Sequence, residues 1–440
     1  MTRMSLGLLV ALIGLAWGWD ALQAAASPAH PLWLARQEAM YLSGLISIGL
    51  MSLAMYLATR PLWLETPFGG MDRVYRAHKW AGILGGSFAL MHWLAEMSGD
   101  LLKSTIGRAG RVPKENAVGL LGSMRSLAED FGEWGFYILL ALLAITLWKR
   151  FPYHPWRFLH RAMPVIYLVL AFHSILLAPR DYWAQPVGWL LAGLLAAGIY
   201  GALRSLLGTI GQGRRMRGTI LAVTQPAVDI IAVSCRLPEN WPGHDAGQFA
   251  LVTFTANEGA HPFTIASADR GDRTIEFRIK ALGDHTRQLP RLLQPGQPVE
   301  IEGPYGRFDM ARINHQARQL WVAGGIGVTP FLAWLDALQN KAAAPPTADF
   351  HYCTRNSATD PFVAELNSLC ATLPTISLHV HDARQGDTLD AATLLKNPAP
   401  GHTSEVWFCG PAGLARVLRQ GLKKMGQTRL HFHQEAFEMR

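Results

Sequence analysis

Four histidines lie inside long apolar runs, where metal-binding or ionisable side chains are costly and usually functional. His78 and His92 are fourteen residues apart in one run, and His160 and His173 are thirteen apart in another. At a rise of about 1.5 Å per residue, each pair is separated by roughly 20 Å along its helix. Each run therefore carries one histidine near either surface of a bilayer.

The two runs are the third and the fifth of six, so they cross the bilayer in the same direction. His78 therefore shares its level with His160, and His92 shares its level with His173. Two neutral imidazoles that face each other across a helical bundle are the axial ligands that a b-type haem needs. Ligation by two histidines closes both iron positions and favours electron transfer over ligand binding. The pattern predicts two b-type haems, stacked so that they divide the bilayer into shorter steps.

The alternative is that each histidine is a buried polar residue bonded to a neighbouring helix. That interpretation suits a single histidine better than two pairs at matching depth on two parallel runs. Cations near the ends of these runs also suit haem propionates, although the same arginines act as topology signals. They are Arg73, Arg76, Arg157 and Arg161.

The thirteen-residue spacing does not place both of its histidines on the same face of a regular helix. Fourteen residues at about 100° each come back to within about 40°, whereas thirteen leave His173 roughly 140° from His160. Pro164 lies four residues after His160 and cannot donate to that residue's carbonyl. We therefore predict a distorted turn after His160; a straight, regular helix over 160–173 would contradict it.

The surrounding sequence divides into a membrane half and a soluble half. Of its 440 residues, 50% are hydrophobic and only 16% are charged, against about 25% charged in soluble proteins. The apolar runs end at about Leu207, and an alternating pattern begins at about Gly218. Six runs have the length that a hydrocarbon core demands: roughly 5–24, 38–58, 75–96, 133–149, 158–178 and 186–207. We therefore expect a six-helix membrane bundle followed by soluble domains.

The first run has an alternative interpretation as a cleaved signal peptide. Arg3 precedes its apolar core, and three alanines at 24–26 end it. The histidine argument is unchanged in either case.

Lys and Arg near the ends of the runs predict the orientation. The short loops on one side carry only Arg36 and Arg180, and five basic residues in the long loop at about 97–132 are offset by acids. The opposite, basic side is therefore cytosolic, together with the N-terminus and the soluble half, in a bacterial inner membrane. The net charge of +8 reflects these clusters, and no nucleic-acid motif accompanies them. The basic side comprises Arg60, Arg73, Arg76, Lys79, Lys149, Arg150, Arg157, Arg161, Arg204, Arg214, Arg215 and Arg217.

The cysteines fit neither a disulfide framework nor a zinc site, because they are widely spaced and all lie in the soluble half. A reducing, cytosolic environment for that half is the natural interpretation. They are Cys235, Cys353, Cys370 and Cys409.

From Gly218 to about Phe308, short β-branched runs punctuated by Gly and Pro predict a small antiparallel barrel. Within it lie the segment 261–267, which begins His-Pro-Phe-Thr, and the segment 278–286, which contains Gly-Asp-His-Thr. These segments offer an aromatic face, hydroxyls, and a glycine that exposes backbone N–H groups to a diphosphate. The predicted strands are 219–223, 230–236, 249–255, 275–279 and 299–302.

After Arg312, strands alternate with helices, which predicts a parallel sheet with ligand sites at the strand ends. The strand 320–323 runs into the glycine-rich turn 324–330 and the helix 331–339. Glycines at such a turn let a pyrophosphate approach the helix N-terminus, although this is not the Gly-x-Gly-x-x-Gly fingerprint. Further strands are expected at 348–353, 376–380 and 404–409.

The order of these segments resembles the ferric reductase and NADPH oxidase superfamily, particularly its compact prokaryotic members. The resemblance covers essentially the whole chain, and the histidine spacings of fourteen and thirteen are those that the family uses for two haems. It implies a haem-binding, ferric reductase-like transmembrane domain at 1–210. An FAD-binding β-barrel domain at 214–312 and an NAD(P)-binding α/β domain at 313–440 follow, together similar to ferredoxin–NADP reductase.

The resemblance assigns the FAD site to two segments. The first, His261-Pro262-Phe263-Thr264, matches the family's FAD motif, whose last two residues lie near the isoalloxazine. In the second, Lys280, Gly283 and Thr286 match the segment that holds the FAD diphosphate. The family's oxidases often have Trp where His285 stands, so flavin coverage is left open here.

The resemblance also assigns the NAD(P) site, with Cys409 and Phe437 as candidate catalytic residues. Phe437 looks like the aromatic that covers the flavin until nicotinamide displaces it, although three residues follow it where many relatives end. A tail aromatic that anchors the sheet is the alternative. Arg355 stands where the family contacts the 2′-phosphate, which favours NADPH over NADH; a solvated loop arginine is the alternative. The pyrophosphate loop comprises Gly324, Gly325, Gly327, Thr329 and Pro330, and the nicotinamide-side loop comprises Cys409, Gly410 and Pro411.

These expectations together describe an NAD(P)H-dependent oxidoreductase that moves electrons from cytosolic NAD(P)H through FAD and two haems to an extracytoplasmic acceptor. The hydride step requires no acid or nucleophile from the protein, which places and tunes the cofactors. Oxygen, giving superoxide, and a ferric chelate are equally favoured acceptors, and delivery to a periplasmic partner protein is the third alternative. The mixed charges of the 97–132 loop fit all three: Arg108, Arg111, Lys114 and Glu115.

Overall fold

The computed structural model divides the chain into two compact units. One comprises Met1–Phe68 and Arg73–Ile210, and the other comprises Gly69–Asp72 and Gly211–Arg440. The structure describes residues 2–23, 29–111, 119–148, 150–255, 258–340, 345–396, 403–427 and 430–435.

The first unit is helical. Proline begins several of its helices, since it supplies a helical φ where no N–H partner is needed: Pro31 follows the N-cap His30, and Pro186 follows Gln185. The helices are Thr2–Gln23 (α1), Pro31–Ala58 (α2), Glu65–Phe68 (α3), Met71–Ile106 (α4), Gly119–Leu147 (α5), Tyr153–His160 (α6), Met163–Leu177 (α7) and Pro186–Leu206 (α8).

Five helical segments of the described residues are long and apolar enough to cross a membrane. The predicted third span, 75–96, lies within α4 but is not among them, because α4 carries Asp72, Lys79 and two histidines along with its apolar residues. The predicted count of six spans therefore stays a prediction. The five are Ser5–Gln23, Pro31–Ala58, Gly119–Leu147, Tyr153–Leu177 and Pro186–Leu206.

The predicted distortion after His160 is confirmed. Helix α6 ends at His160, and α7 begins only at Met163. Between them the bonds tighten to three-residue spacing, with Arg161 N donating to Phe158 O at 3.2 Å and Ala162 N to Leu159 O at 3.0 Å. Pro164 lies in the first turn of α7, where its missing N–H costs nothing.

The second unit begins with a six-stranded antiparallel sheet, in the order β4-β3-β6-β1-β2-β5. A bridge between Ile265 and Phe277 joins its two edges. Val233, Phe277 and Ile301 are fully buried in its core. The strands are Arg215–Ala227 (β1), Ile230–Arg236 (β2), Phe249–Thr253 (β3), His261–Thr264 (β4), Thr274–Lys280 (β5) and Pro298–Tyr305 (β6), and the helix Asp284–Leu292 (α9) precedes β6.

A five-stranded sheet follows, in the order β11-β10-β7-β8-β9. All four pairings are parallel, as the alternation of strands and helices predicts. Its core is built on Trp321, Trp334 and Trp407, all fully buried. The elements are Arg318–Gly324 (β7), Thr329–Gln339 (α10), Ala348–Thr354 (β8), Pro361–Ala371 (α11), Ile376–Asp382 (β9), Ala391–Leu394 (α12), Ser404–Cys409 (β10), Ala412–Lys424 (α13) and Leu430–Gln434 (β11).

Candidate functional site

The four histidines predicted to bind haem lie in two pairs, the two pairings that the sequence predicts. The ring centroids of His78 and His160 are 6.3 Å apart with planes at 79°. Those of His92 and His173 are 6.2 Å apart with planes at 90°. Two imidazoles on opposite sides of one metal, each bonded at about 2 Å, place their centroids roughly 6 Å apart. The spacing of both pairs fits a shared metal.

Backbone carbonyls orient three of these rings. Nδ1 lies 2.8 Å from the carbonyl oxygen of another helix in each case: Ala54 for His78, Met40 for His92 and Ala128 for His173. Because a carbonyl only accepts, each Nδ1 carries the proton, and the lone pair lies on Nε2. Metal-ligating histidines are usually held in this way.

The carbonyl bonds bear on the alternative interpretation of these residues. Each is a bond from a half-buried histidine to a neighbouring helix, as that interpretation expects, but it uses only one ring nitrogen. The second nitrogen of each ring remains available within its pair. The arrangement therefore fits ligation better than a simple buried polar contact.

His160 is oriented differently, because it ends α6 at the broken turn. Its ring stacks on Trp156 at 5.3 Å, and Trp156 Nε1 donates to Thr146 Oγ1 at 3.2 Å. Among the described residues, His160 Nδ1 is a buried nitrogen without a hydrogen-bond partner. An aromatic stack thus replaces the carbonyl that holds the other three rings.

Glycines admit the rings of the second pair. A Cβ on Gly132 would lie 2.0 Å from His173 Nδ1, and one on Gly44 would lie 3.0 Å from His92 Nδ1. Any side chain at Gly132 would therefore displace the imidazole or the helix. Sequence reasoning missed these glycines, because nothing in the spacing shows which helix faces which histidine.

The predicted flavin residues lie on β4, at the end of β5 and at the start of α9. Phe263 is half-buried, with its ring 5.9 Å from Phe254, and Thr264 is buried. Beside them, Pro262 lies in the same strand, paired with Leu251 of β3. Phe263 and Thr264 are successive residues of this edge strand, so the aromatic ring and the hydroxyl project to opposite faces of the sheet.

The polar groups at the start of α9 and at the end of β5 make contacts within the protein. Gly283 is its N-cap, and the Thr286 hydroxyl accepts from Gly283 N at 3.0 Å and donates to Gly283 O at 3.1 Å. Thr286 therefore fixes the cap loop with its own hydroxyl. Lys280 Nζ lies 3.3 Å from Asp229 Oδ2, so its charge is partly engaged within the sheet.

The loops after β7 and β10 pack tightly against each other. A Cβ on Gly327 would lie 2.3 Å from the carbonyl oxygen of Cys409, and one on Gly324 would lie 2.6 Å from Pro411 Cδ. Gly325 has φ +54, in the left-handed region that favours glycine. A Cβ on Gly410 would lie 3.0 Å from Gly324 N. The two predicted nucleotide loops thus form one glycine-lined edge.

Helix α10 starts at that edge. Thr329 is its first residue and donates from Oγ1 to Ile326 O at 2.5 Å, and Pro330 occupies the first turn. The N-terminus of α10 therefore opens beside a turn that contains three glycines, Gly324, Gly325 and Gly327, which is an arrangement suited to a pyrophosphate.

Arg355 follows β8, and the structure brings a second arginine next to its loop. Arg384 follows β9, and its backbone N donates to Arg355 O at 3.3 Å. Asp382 joins the two loops by accepting from Ser357 Oγ at 2.6 Å and from Arg384 N at 2.9 Å. The Ser357 hydrogen bonds hold the pKa of the Asp382 carboxyl below its usual range. Sequence reasoning missed Arg384. The available signal was that Arg384 follows the end of the predicted strand 376–380.

Cys409 is the last residue of β10 and is buried. Burial, and then the nearby Glu435 carboxylate, hold the pKa of its thiol well above the usual range. The thiol therefore stays protonated at neutral pH and is no nucleophile. Phe437 lies outside the described residues.

Family comparisons agree with this geometry. A family described as "Ferric reductase like transmembrane component" matches residues 43–171, which include His78, His92 and His160. A second, described as "FAD-binding domain", matches residues 215–309. These matches, together with the plant relative named below, support the ferric reductase and NADPH oxidase-like superfamily.

Curated relatives match parts of the chain. The carnitine monooxygenase reductase subunit of Escherichia coli (strain K12) is 32% identical over 205 residues, covering 45% of this chain and 60% of that protein. Respiratory burst oxidase homolog protein E of Arabidopsis thaliana is 26% identical over 235 residues, covering 46% of this chain and 24% of that protein. The chain thus spans about half the length, or less, of several curated relatives it matches.

A solved structure is also similar to the chain. The cytochrome b5 reductase domain of Ulva prolifera nitrate reductase is 18% identical, covering 50% of this chain and 97% of that one, with a TM-score of 0.42.

Proposed function

We propose that this chain transfers electrons from cytosolic NAD(P)H across a membrane, through FAD and two b-type haems, to an acceptor on the far side. The observation that carries the proposal is the geometry of the two histidine pairs. Within each pair the ring centroids are 6.2 or 6.3 Å apart. Three of the four rings are held through Nδ1 with Nε2 directed away from the carbonyl that holds them. Residues 215–309 of the same chain match a FAD-binding domain, and bound FAD would be the source of the electrons.

The residues that would hold the haems are His78 with His160, and His92 with His173. Bis-histidine ligation leaves no iron position for a substrate, which suits outer-sphere electron transfer. Bound haem supplies one-electron chemistry, and bound flavin converts a two-electron hydride into single electrons. The chain contributes fixed ring orientations and an apolar environment.

The residues assigned to the flavin would bind and orient it on the β4 edge. Phe263 and Thr264 are proposed to lie beside the isoalloxazine, and the Lys280, Gly283 and Thr286 segment beside the diphosphate. Since Thr286 is engaged with its own cap, its proposed role is to shape that loop rather than to contact the cofactor with its hydroxyl.

The residues assigned to the nucleotide would hold its pyrophosphate at the α10 N-terminus and its nicotinamide beside Cys409 and Pro411. The protonated Cys409 thiol is suited to packing and not to covalent chemistry. Phe437 is proposed to cover the flavin until nicotinamide displaces it. NADPH is the proposed coenzyme, because Arg355 and Arg384 place two guanidinium-bearing loops side by side.

The proposed topology follows the basic residues, which lie mostly on one side of the helical runs. The N-terminus and the second unit are cytosolic in this proposal, and lipid of a bacterial inner membrane surrounds the helices. The acceptor, oxygen or a ferric chelate, reacts on the opposite side.

Delivery of electrons to a partner protein is the second candidate function. It is favoured by the names of several relatives, which are reductase subunits or components of larger oxygenase systems. In this case the chain would be the electron-donating half of a complex.

The decisive experiment is steady-state NAD(P)H oxidation by the purified full chain, with oxygen or a ferric chelate as acceptor. Cytochrome c reduction that superoxide dismutase abolishes would identify the oxidase, and anaerobic chelate reduction would identify the metalloreductase. Turnover with neither acceptor, alongside a normal two-haem spectrum, would favour the partner protein. A purified protein without a bis-histidine haem spectrum would overturn the proposal.

A further inference from the structure

Three side chains beside the β4 edge form a cluster of metal-ligand type. Glu258 precedes β4, His261 is the first residue of β4, and His285 is the second residue of α9. One ligand atom from each lies within 4.8 Å of the others. Two histidines and one glutamate are a ligand set that zinc enzymes use.

The distances within the cluster suit a shared ion better than direct hydrogen bonds. Glu258 Oε2 lies 3.5 Å from His261 Nε2, and Glu258 Oε1 lies 3.7 Å from His285 Nδ1. Charge-assisted hydrogen bonds are shorter, at about 2.7–2.9 Å. Ligands of a tetrahedral ion with bonds of about 2.0–2.2 Å are about 3.3–3.6 Å apart. The two contacts use different oxygens of Glu258, so the carboxylate would bind an ion through both oxygens, and the spacing of the two contacts is near that of an ion site.

The three side chains are held and largely desolvated. The His261 and His285 rings stack at 4.6 Å with planes at 14°. The exposed fractions of the side chains are 16% for Glu258, 21% for His261 and 8% for His285. β4 is fixed by its pairing with β3, and the start of α9 by the Thr286 cap. The in-plane lone pairs of two stacked rings do not converge, so one imidazole would rotate out of the stack to bring both nitrogens onto one ion.

We propose that Glu258, His261 and His285 bind one divalent transition-metal ion of the Zn²⁺ type. The ion and the flavin exclude each other, because both engage His261; this second part rests on the proposed function.

The test is a titration of the full-length, flavin-depleted protein, purified without a histidine tag, with Co²⁺ and then Zn²⁺. Co²⁺ gives visible absorption that reports tetrahedral ligation, and Zn²⁺ should displace it. We expect one site per chain in the wild type. Glu258→Gln and His285→Gln should each weaken binding by at least about tenfold.

The matched control is His379→Gln, which removes another histidine next to a carboxylate, 3.4 Å from Asp349 Oδ1. Among the described residues, that contact belongs to no group of three ligand atoms, so the variant should bind Co²⁺ as the wild type does. Absence of saturable Co²⁺ binding in the wild type, or equal binding in Glu258→Gln and His285→Gln, would overturn the site.

The second arm measures FAD binding to the same proteins with and without Zn²⁺. Zn²⁺ should raise the apparent Kd for FAD in the wild type and in His379→Gln, and have no effect in Glu258→Gln. Unchanged FAD affinity with the metal bound would overturn mutual exclusion while the site stands. Failure of the metal-free protein to bind FAD would count against the proposed function, and the Co²⁺ spectrum would still decide the metal site.

Discussion

Histidines serve different purposes in the two units of this protein. In the two histidine pairs of the helical unit, three of the four rings are fixed by backbone carbonyls, which leaves one nitrogen of each for a ligand. In the second unit His351, His379 and His381 lie on adjacent strands and satisfy one another and nearby carboxylates. Histidine nitrogens are thus left available in the helical pairs, whereas those of the β8–β9 row are engaged in structural contacts.

Glycines differ in a parallel way. Gly132 of the helical unit makes room for an imidazole, whereas Gly327 of the second unit makes room for a backbone carbonyl. The chemistry of the helical unit is therefore carried by side chains, and that of the nucleotide edge by backbone. This difference determines which substitutions each site tolerates.

The largest effect should follow His92→Ala in the helical unit. The variant lacks one proposed ligand of the pair with His173, so one of two haem equivalents should be lost. Transmembrane electron transfer should fall by at least about 100-fold, while NAD(P)H oxidation by a soluble dye persists. Haem content by pyridine haemochrome and the two activities check this.

His154→Ala is the control for that substitution, because His154 is an exposed histidine of the same unit outside both pairs. It should keep both haems. An intact two-haem spectrum in His92→Ala would defeat the ligand assignment.

Gly327→Ala should act on the second unit alone. Its Cβ would meet the Cys409 carbonyl oxygen at 2.3 Å, and backbone cannot swing aside as a side chain can. We expect a cost of about 1–3 kcal/mol in stability and a raised KM for NAD(P)H, with unchanged haem content. Dye reduction kinetics and haem content are the measurements.

The control is Gly413→Ala in α13, where an added Cβ meets nothing within 4 Å. Alanine favours a helix, so its stability should be equal or higher. Equal KM values for the two variants would contradict a backbone-built nucleotide edge.

Gly132→Ala should have a smaller effect than His92→Ala, because His173 can rotate away from the new methyl group. Rotation would break the bond from Nδ1 to Ala128 O, which orients the ring. We expect haem affinity at that pair to fall by roughly 10–100-fold. Haem titration and the low-spin spectrum measure it.

Gly193→Ala in α8 provides the comparison, since an added Cβ there meets nothing within 4 Å and α8 carries none of the four histidines. Its haem binding should match the wild type. If Gly132→Ala also matched the wild type, the carbonyl bond would have no role in orientation.

The sequence predicted the histidine pairing because helix geometry is regular and the residues themselves carry the chemistry. It also located the break after His160, because Pro164 cannot donate to the residue four before it. It missed β4, where Pro262 argues against a strand but is tolerated at the sheet edge. Glu258, His261 and His285 meet across two elements, which spacing along the chain cannot show. The far extension of α4 to Ile106 lies beyond the apolar stretch that marks a span.

Arg384→Ala should change coenzyme preference and little else. The loop of Arg384 is joined to that of Arg355, so both guanidinium groups are proposed to face the 2′-phosphate. A charge-assisted hydrogen bond contributes about 1.5–3 kcal/mol, so the NADPH to NADH ratio of kcat/KM should fall about tenfold or more. Arg416→Ala, an exposed arginine of α13, should leave the ratio unchanged. An equal loss for both coenzymes would contradict a 2′-phosphate contact.

The smallest effect concerns the histidine row of the second unit. Burial, and then the neighbouring His379 and His381, lower the pKa of His351 from 6.5 to about 4. Between these pH values the unfolded chain binds a proton at His351 that the folded chain does not. Stability is therefore complete above about pH 6.5 and is lost as the pH falls towards 4.

Hydrogen exchange of the β8 amides should show this loss as local opening that becomes easier by about 2 kcal/mol between pH 7.5 and 4.5. His351→Gln should lower the protection at pH 7.5 but remove most of its dependence on pH, since glutamine does not titrate. His431→Gln, on the edge strand β11, should retain the wild-type dependence. If His351→Gln kept the full pH dependence of β8 protection, titration of His351 would not be its cause. The contacts among His351, His379 and His381 would then not have the stabilising role that is given to them here.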